Sequence, residues 1–168
     1  MSDRIAVMNE GVVEQVAEPR ELYEHPRTAF VAGFIGISNL LALRVDERRS
    51  GLLEMRLGEG QRLLAPDPGG VEDAFQITVR PEKVKLSNGS VPDGCSLIAG
   101  TVSEVVYLGS MTQLIVRLAT GELLTVHQLN DESEHVEAGV GDQIRLQWRA
   151  DHSYVIGSAA PREAEPQA

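Results

Sequence analysis

The sequence predicts a mainly β protein whose strands close into small, partly open Greek-key barrels, and three observations carry that expectation. From Ser38 onward, short apolar runs recur at near-regular spacing. Turn signals separate them, among them Arg49-Ser50-Gly51, Gly58-Glu59-Gly60, Pro66-Asp67-Pro68-Gly69-Gly70, Thr120-Gly121 and Glu137-Ala138-Gly139. Many short strands at such spacing argue against a parallel α/β sheet. Finally, 168 residues with 42% hydrophobic content can build a real core in one generous domain or two small ones.

The first 37 residues read differently from the rest. Runs 4–8 and 12–16 are predicted strands, joined by Asn9-Glu10-Gly11, a link whose glycine reaches positive φ freely and so marks a hairpin. Pro19 stands where a first helical residue loses nothing by lacking an N–H, with Glu18 and Glu21 at the positive helix end. That helix, 19–24, stops before His25-Pro26, because a residue preceding proline avoids the α region. A second helix over 28–34 carries Phe30, Val31 and Phe34 as an apolar stripe. A hairpin and two short helices cannot bury both their faces alone, so this stretch reads as the end of something larger.

Strands are then predicted at 40–47, 52–57, 62–65, 75–79, 96–107, 113–118, 123–127, 143–149 and 153–156. The run 97–108 exceeds ordinary strand length, and Gly100 within it suggests a bulge where a barrel strand bends. The expected architecture is OB-like, the oligonucleotide/oligosaccharide-binding barrel. The tail 161–168, rich in Pro, Glu and Ala, is expected to be disordered. The organisation expected is thus 1–37, 38–157 and a tail over 158–168.

Composition excludes several functions. Fifteen Lys+Arg against twenty-five Asp+Glu give a formal charge of −10, a poor match to nucleic acid, whose binding rests on cationic neutralisation. The two lysines, Lys83 and Lys85, follow no glycine, which removes a phosphate-cradling G-x-x-x-x-G-K-[ST] loop. The lone Cys95 excludes a disulfide framework and suits a reducing cytosol. His127, His135 and His152 lack metal-ligand spacing, so neither metal nor catalytic residues are assigned. No targeting signal is read, and the longest apolar stretch, 29–37, is about half the ~20 residues that span a bilayer. No direct membrane insertion is expected.

Two segments resemble a known family. The first is Asp3-Arg4-Ile5-Ala6-Val7-Met8-Asn9-Glu10-Gly11 with Glu14-Gln15-Val16, Glu18-Pro19, Glu21-Leu22-Tyr23, Pro26, Phe30-Val31-Ala32 and Phe34-Ile35-Gly36. It resembles the last stretch of the nucleotide-binding domain in ATP-binding-cassette (ABC) importer ATPases. The second is Val79-Arg80-Pro81-Glu82-Lys83-Val84, then Gly100-Thr101-Val102 through Tyr107-Leu108-Gly109-Ser110-Met111-Thr112-Gln113, ending at Trp148. It resembles the transport-associated OB (TOBE) domain appended to such ATPases, most closely in spermidine/putrescine importers. The resemblance implies a C-terminal regulatory and dimerisation module of an ABC importer subunit. Its ATPase motifs would lie upstream, so this chain is expected to be no enzyme and to hold no cofactor, with ATP and Mg belonging to the parent subunit. The partners implied are a second copy, through the TOBE domain, and the permease subunits. The place implied is the cytoplasm, peripheral to the inner face of the membrane. Leu86-Ser87-Asn88-Gly89-Ser90 mimics the cassette signature, yet Val91-Pro92-Asp93-Gly94 follows and no helix can begin there. It reads as a hairpin turn.

Within this frame several residues are singled out. Arg80 and Glu82 flank Pro81 as an expected ion pair, either at a hinge or dimer contact or as a surface salt bridge at a strand end. Thr112 and Gln113, after Gly109-Ser110-Met111, either face a small solute or satisfy local backbone groups. Phe30, Phe34 and Ile35 are expected to pack on the absent ATPase core. Asp131, Glu132, Glu134, Glu137 and Asp142 form an acidic run that attracts cations or is simply a solvated loop. The alternative for the whole chain is a stand-alone OB module binding a small solute or oxyanion.

Overall fold

The computed structural model describes residues 2–58, 60–70, 74–87, 89, 91–130 and 138–156. The expected tail, the turn at Asn88 and Ser90, and the acidic run 131–137 lie outside them.

Strands β1 (Ile5–Asn9) and β2 (Val12–Ala17) pair antiparallel with Asn9 opposite Val12. The connection is therefore two residues long, with Glu10 at φ 48° and Gly11 at φ 82°, the double positive φ that matches hairpin twist. Helix α1 (Pro19–Glu24) opens on its proline. Helix α2 (Ala29–Ile35) begins after Thr28, whose Oγ1 accepts the Val31 N–H at 3.2 Å, satisfying an otherwise orphaned donor. Val7, Leu22 and Val31 form a small apolar cluster, with Ala17 and Ile35 packed against it.

The body follows as β3 (Asn39–Arg44), β4 (Glu47–Arg49), β5 (Leu52–Gly58), β6 (Gln61–Pro66) and β7 (Ala74–Val79). A single 3₁₀ turn (Pro81–Lys83) leads to β8 (Lys85–Leu86), β9 (Cys95–Tyr107), β10 (Met111–Leu118), β11 (Leu123–Leu129) and β12 (Gln143–Arg149). A second 3₁₀ turn (Ala150–His152) precedes β13 (Tyr154–Ile156). All nine strands expected after residue 38 are present; β4 and the two-residue β8 are additions. The expected strand over 40–47 is split because Asp46 turns the chain, its Oδ2 accepting the Arg56 N–H at 2.6 Å.

The thirteen-residue β9 is the spine of the body, pairing with β10, β6 and β12. A second sheet runs β13-β7-β3. Side chains complete the ladder where backbone pairing is sparse. Ser96 Oγ accepts the Leu64 N–H at 2.9 Å and Gln61 Oε1 accepts the Ala99 N–H at 2.8 Å. Buried Asn39 joins the two sheets: its Nδ2 donates to the Thr125 carbonyl at 2.8 Å, and its Oδ1 accepts the Thr125 N–H at 2.6 Å. Leu41, Leu53, Ile77, Ile98, Leu114 and Leu146 meet in one core between these strands.

The bulge in β9 falls at Ser103, not at Gly100: Ile115 opposes Glu104 while Val116 opposes Val102. Gly100 is instead required by close approach. A Cβ there would sit 2.6 Å from Val116 Cγ1 and 2.8 Å from the Arg117 carbonyl oxygen.

Candidate functional site

Strand β7 ends at buried Val79, and Pro81 then forces the chain out of the sheet into its 3₁₀ turn. Arg80 sits between them in extended conformation, only 6% exposed. Its guanidinium reaches across to the first 37 residues. Nε and Nη2 donate to the Tyr23 carbonyl at 3.0 and 2.6 Å. Nη1 donates to the carbonyls of Ala32, Gly36 and Ile37 at 3.2, 3.3 and 3.2 Å. These acceptors lie at the C-terminal ends of α1 and α2 or just beyond, where carbonyls lack helical partners and carry partial negative charge. The same group stands 4.0 Å over the Tyr23 ring, a cation–π geometry. The Tyr23 hydroxyl donates to Glu82 Oε1 at 2.8 Å.

The electrostatics follow from burial. Loss of water holds Arg80 below the usual guanidinium range, while Tyr23 and Glu82 pull it back up; it stays a cation, as arginine does in proteins. Tyr23 is pushed above its ordinary value, first by burial and then by its bond to Glu82, outweighing the opposite pull of Arg80.

The expected Arg80–Glu82 surface salt bridge is therefore corrected. No ion pair joins them among the described residues; Arg80 is spent on main-chain carbonyls and Glu82 on the Tyr23 hydroxyl. Thr112 and Gln113 are both engaged within their own hairpin. Thr112 Oγ1 donates to Asn130 Oδ1 at 2.7 Å, and Gln113 Oε1 lies 3.1 Å from His127 Nε2. Asn130 also donates from Nδ2 to the Gly109 carbonyl at 2.7 Å, tying the β9–β10 turn to the end of β11. Of the three residues expected to face an absent core, Ile35 packs half-buried against the small Val7 cluster. Phe30 and Phe34 stack on each other at 5.8 Å and stay 38% and 66% exposed.

Sequence reasoning missed Tyr23, Asn39 and Asn130 as joints. Nothing local marks them, since each acts on a partner far along the chain or across a turn. Among the described residues no group of His, Cys, Asp and Glu is placed to hold a metal. No helix there is long and apolar enough to cross a membrane. One open groove of about 570 Å³ is lined by Glu54, Arg56, Gln61, Arg62, Val91 and Leu97 among others, a mixed-charge surface.

Residues 77–156 match the TOBE domain family, and this part of the chain is a TOBE domain on a mainly β, OB-like fold. Across nearly its whole length the chain is homologous to the C-terminal region of polyamine import ATP-binding proteins. It is 46% identical over 158 residues to the spermidine/putrescine import ATP-binding protein PotA of Thermobifida fusca, covering 93% of this chain and 41% of that relative. The corresponding protein of Rubrobacter xylanophilus is 42% identical over 161 residues, 94% of this chain and 41% of its own length. The putrescine transport ATP-binding protein PotG of Escherichia coli is 35% identical over 162 residues, 93% of this chain and 42% of its own. The chain thus spans about two fifths of the length of these curated relatives. Among solved structures, the cytoplasmic molybdate-binding protein ModG with molybdate bound superposes with a TM-score of 0.58 at 15% identity. That match covers 71% of this chain and 96% of ModG, a likeness of fold.

Proposed function

We infer that this chain acts as the C-terminal regulatory and dimerisation module of an ABC-type importer's ATP-binding subunit, serving polyamine uptake. The observation that carries this reading is the distribution of exposed apolar side chains. Ile5, Met8, Val12, Val13, Val16, Phe30, Phe34 and Ile37 are all exposed, more than half of such large residues among the described ones, within under a quarter of the chain. Apolar exposure of that extent fits a docking surface, and homology to ATP-binding proteins supports the nucleotide-binding core as its occupant. ATP, Mg and hydrolysis belong to that core, the permease subunits contact the assembly, and its place is the cytoplasmic side of the membrane. The TOBE body would pair with a second copy, so that binding there shifts the balance between open and closed heads.

The test is reconstitution. The chain, mixed with the separately expressed cassette portion of the Thermobifida fusca relative, is expected to co-elute with it as a dimer of the combined species. A chain that stays monodisperse and gains no affinity for the cassette overturns the reading. Micromolar binding of spermidine or molybdate to the chain alone, with no association, would favour the stand-alone binding module.

A further inference from the structure

The apolar cluster of residues 5–37 and that of the body share no member. Among the described residues, the hydrogen bonds and ring contacts that join the two regions form one set. It comprises the Arg80 hydrogen bonds, the Tyr23–Glu82 bond, and a tilted contact between His25 and Tyr154 with ring centroids 5.1 Å apart. Arg80 dominates this set. One guanidinium offers five N–H donors in a fixed fork, and here they reach four carbonyls from both helix ends at once. Removing it would strand those carbonyls in a buried place, whereas the core that folds the body would lose no apolar contact.

We propose that Arg80 is a latch: a positioning residue, carried by the body, that sets how α1 and α2, and with them the stacked Phe30–Phe34 ridge, are presented. Released from it, residues 19–37 come away as a unit while the β body stays folded. The ridge matters as a docking face only under the reading above, on which the purpose of the latch rests. The latch itself is a property of this chain alone and is measured without any partner.

The experiment is hydrogen–deuterium exchange on the full chain, wild type against Arg80→Lys, with Tyr23→Phe as a milder comparison. Lysine keeps the charge but is a compact point donor that cannot span four carbonyls. Amides of 19–37 are expected to exchange at least about tenfold faster in Arg80→Lys, as losing charge-assisted bonds demands. Amides of β9, β10 and β12 are expected to keep wild-type rates, and the near-ultraviolet signal of buried Trp148 to stay native. Tyr23→Phe, which gives up only the Glu82 bond, should accelerate the same amides less. Unchanged exchange over 19–37 in Arg80→Lys would overturn the latch. So would acceleration spread equally into β9–β12, or loss of the Trp148 signal, since Arg80 would then be a residue of the body's own fold. A failed cassette reconstitution with a positive exchange result would sink the docking partner and leave the latch standing.

Discussion

The first 37 residues and the β body bury their apolar side chains on very different scales. The body gathers eighteen buried residues into one cluster; the leading segment gathers three, Val7, Leu22 and Val31. Both regions are rich in valine, leucine and isoleucine, so composition does not separate them. Topology does. In the body, two sheets face each other and Asn39 closes the seam, so alternating strand residues find partners on the inner side. The hairpin of β1 and β2 has no second sheet to face, and its outward valines remain in water. Burial contributes roughly 25 cal/mol per Å² of apolar surface, so the body can hold itself together while the segment leans on its neighbours. The segment is thus the part of the molecule that leaves the larger share of its big apolar side chains exposed.

That contrast breaks most sharply under matched truncations. Ile77→Ala or Leu114→Ala, in the body core, should cost about 2–5 kcal/mol and lower the cooperative denaturant midpoint followed by Trp148. Leu22→Ala removes a fully buried side chain of the same kind, yet should release mainly residues 5–37, seen as local exchange with little movement of that midpoint. Equal midpoint shifts for the two sites would mean the regions fold as one unit. Gly100→Val comes next. The added side chain meets Val116 Cγ1 and the backbone of Arg117, and backbone cannot step aside, so a loss of about 1–3 kcal/mol is expected in thermal unfolding.

The strands of the body were legible because each buried stretch carries its own alternation and its own turn residues. Helix α1 was legible to the residue, since Pro19 opens it and His25-Pro26 closes it. Split strands such as β3 and β4 were not, because the break at Asp46 depends on Arg56 arriving from the next strand. The joint around Arg80 shows the limit best when set beside Arg149. Arg149 ends its strand and Arg80 stands one residue past the end of its own, and each is followed by a 3₁₀ turn with an acid two residues on. Arg149 takes the local partner, its Nε and Nη2 donating to Asp151 at 3.0 and 2.6 Å. Arg80 passes over Glu82 for carbonyls some fifty residues earlier, because two helix ends crowd it and exclude water. Two nearly identical local patterns thus have opposite outcomes, and only the tertiary surroundings choose between them. Likewise Thr112 could not be read as an internal hydrogen-bond donor without knowing that Asn130 closes on it.

A smaller effect on stability, with a larger one on association, is expected from the paired change Phe30→Ser and Phe34→Ser. These rings are exposed, so the unfolding midpoint should move by no more than about 0.5 kcal/mol. Self-association in light scattering should fall, because the displayed ridge is gone. A large drop in stability would show that the ridge is covered in the free chain and that the segment is less open than the body-to-segment contrast implies.

The two regions should also differ in which end of the pH scale loosens them, and this is the smallest effect. In the body, His152 is held below its ordinary value of 6.5, chiefly by burial, with Lys83 and Arg149 pushing the same way and Asp151 opposing. Its Nδ1 is buried with no hydrogen-bond partner. Below pH 6.5 the unfolded chain takes up this proton before the folded one, so stability falls with pH. The melting temperature should therefore drop slightly between pH 7 and 5, and less in His152→Asn. In the segment, Tyr23 is raised above 10 by burial and by Glu82. Its neutral form favours the folded state, so that contribution is intact below pH 10 and is lost as pH rises through the raised value. Protection over 19–37, taken relative to the intrinsic base-catalysed exchange rate, should fall as pH rises above 10, and Tyr23→Phe should remove that fall. If His152→Asn melts with the wild-type pH dependence, the turn after β12 is more open to water than its burial indicates.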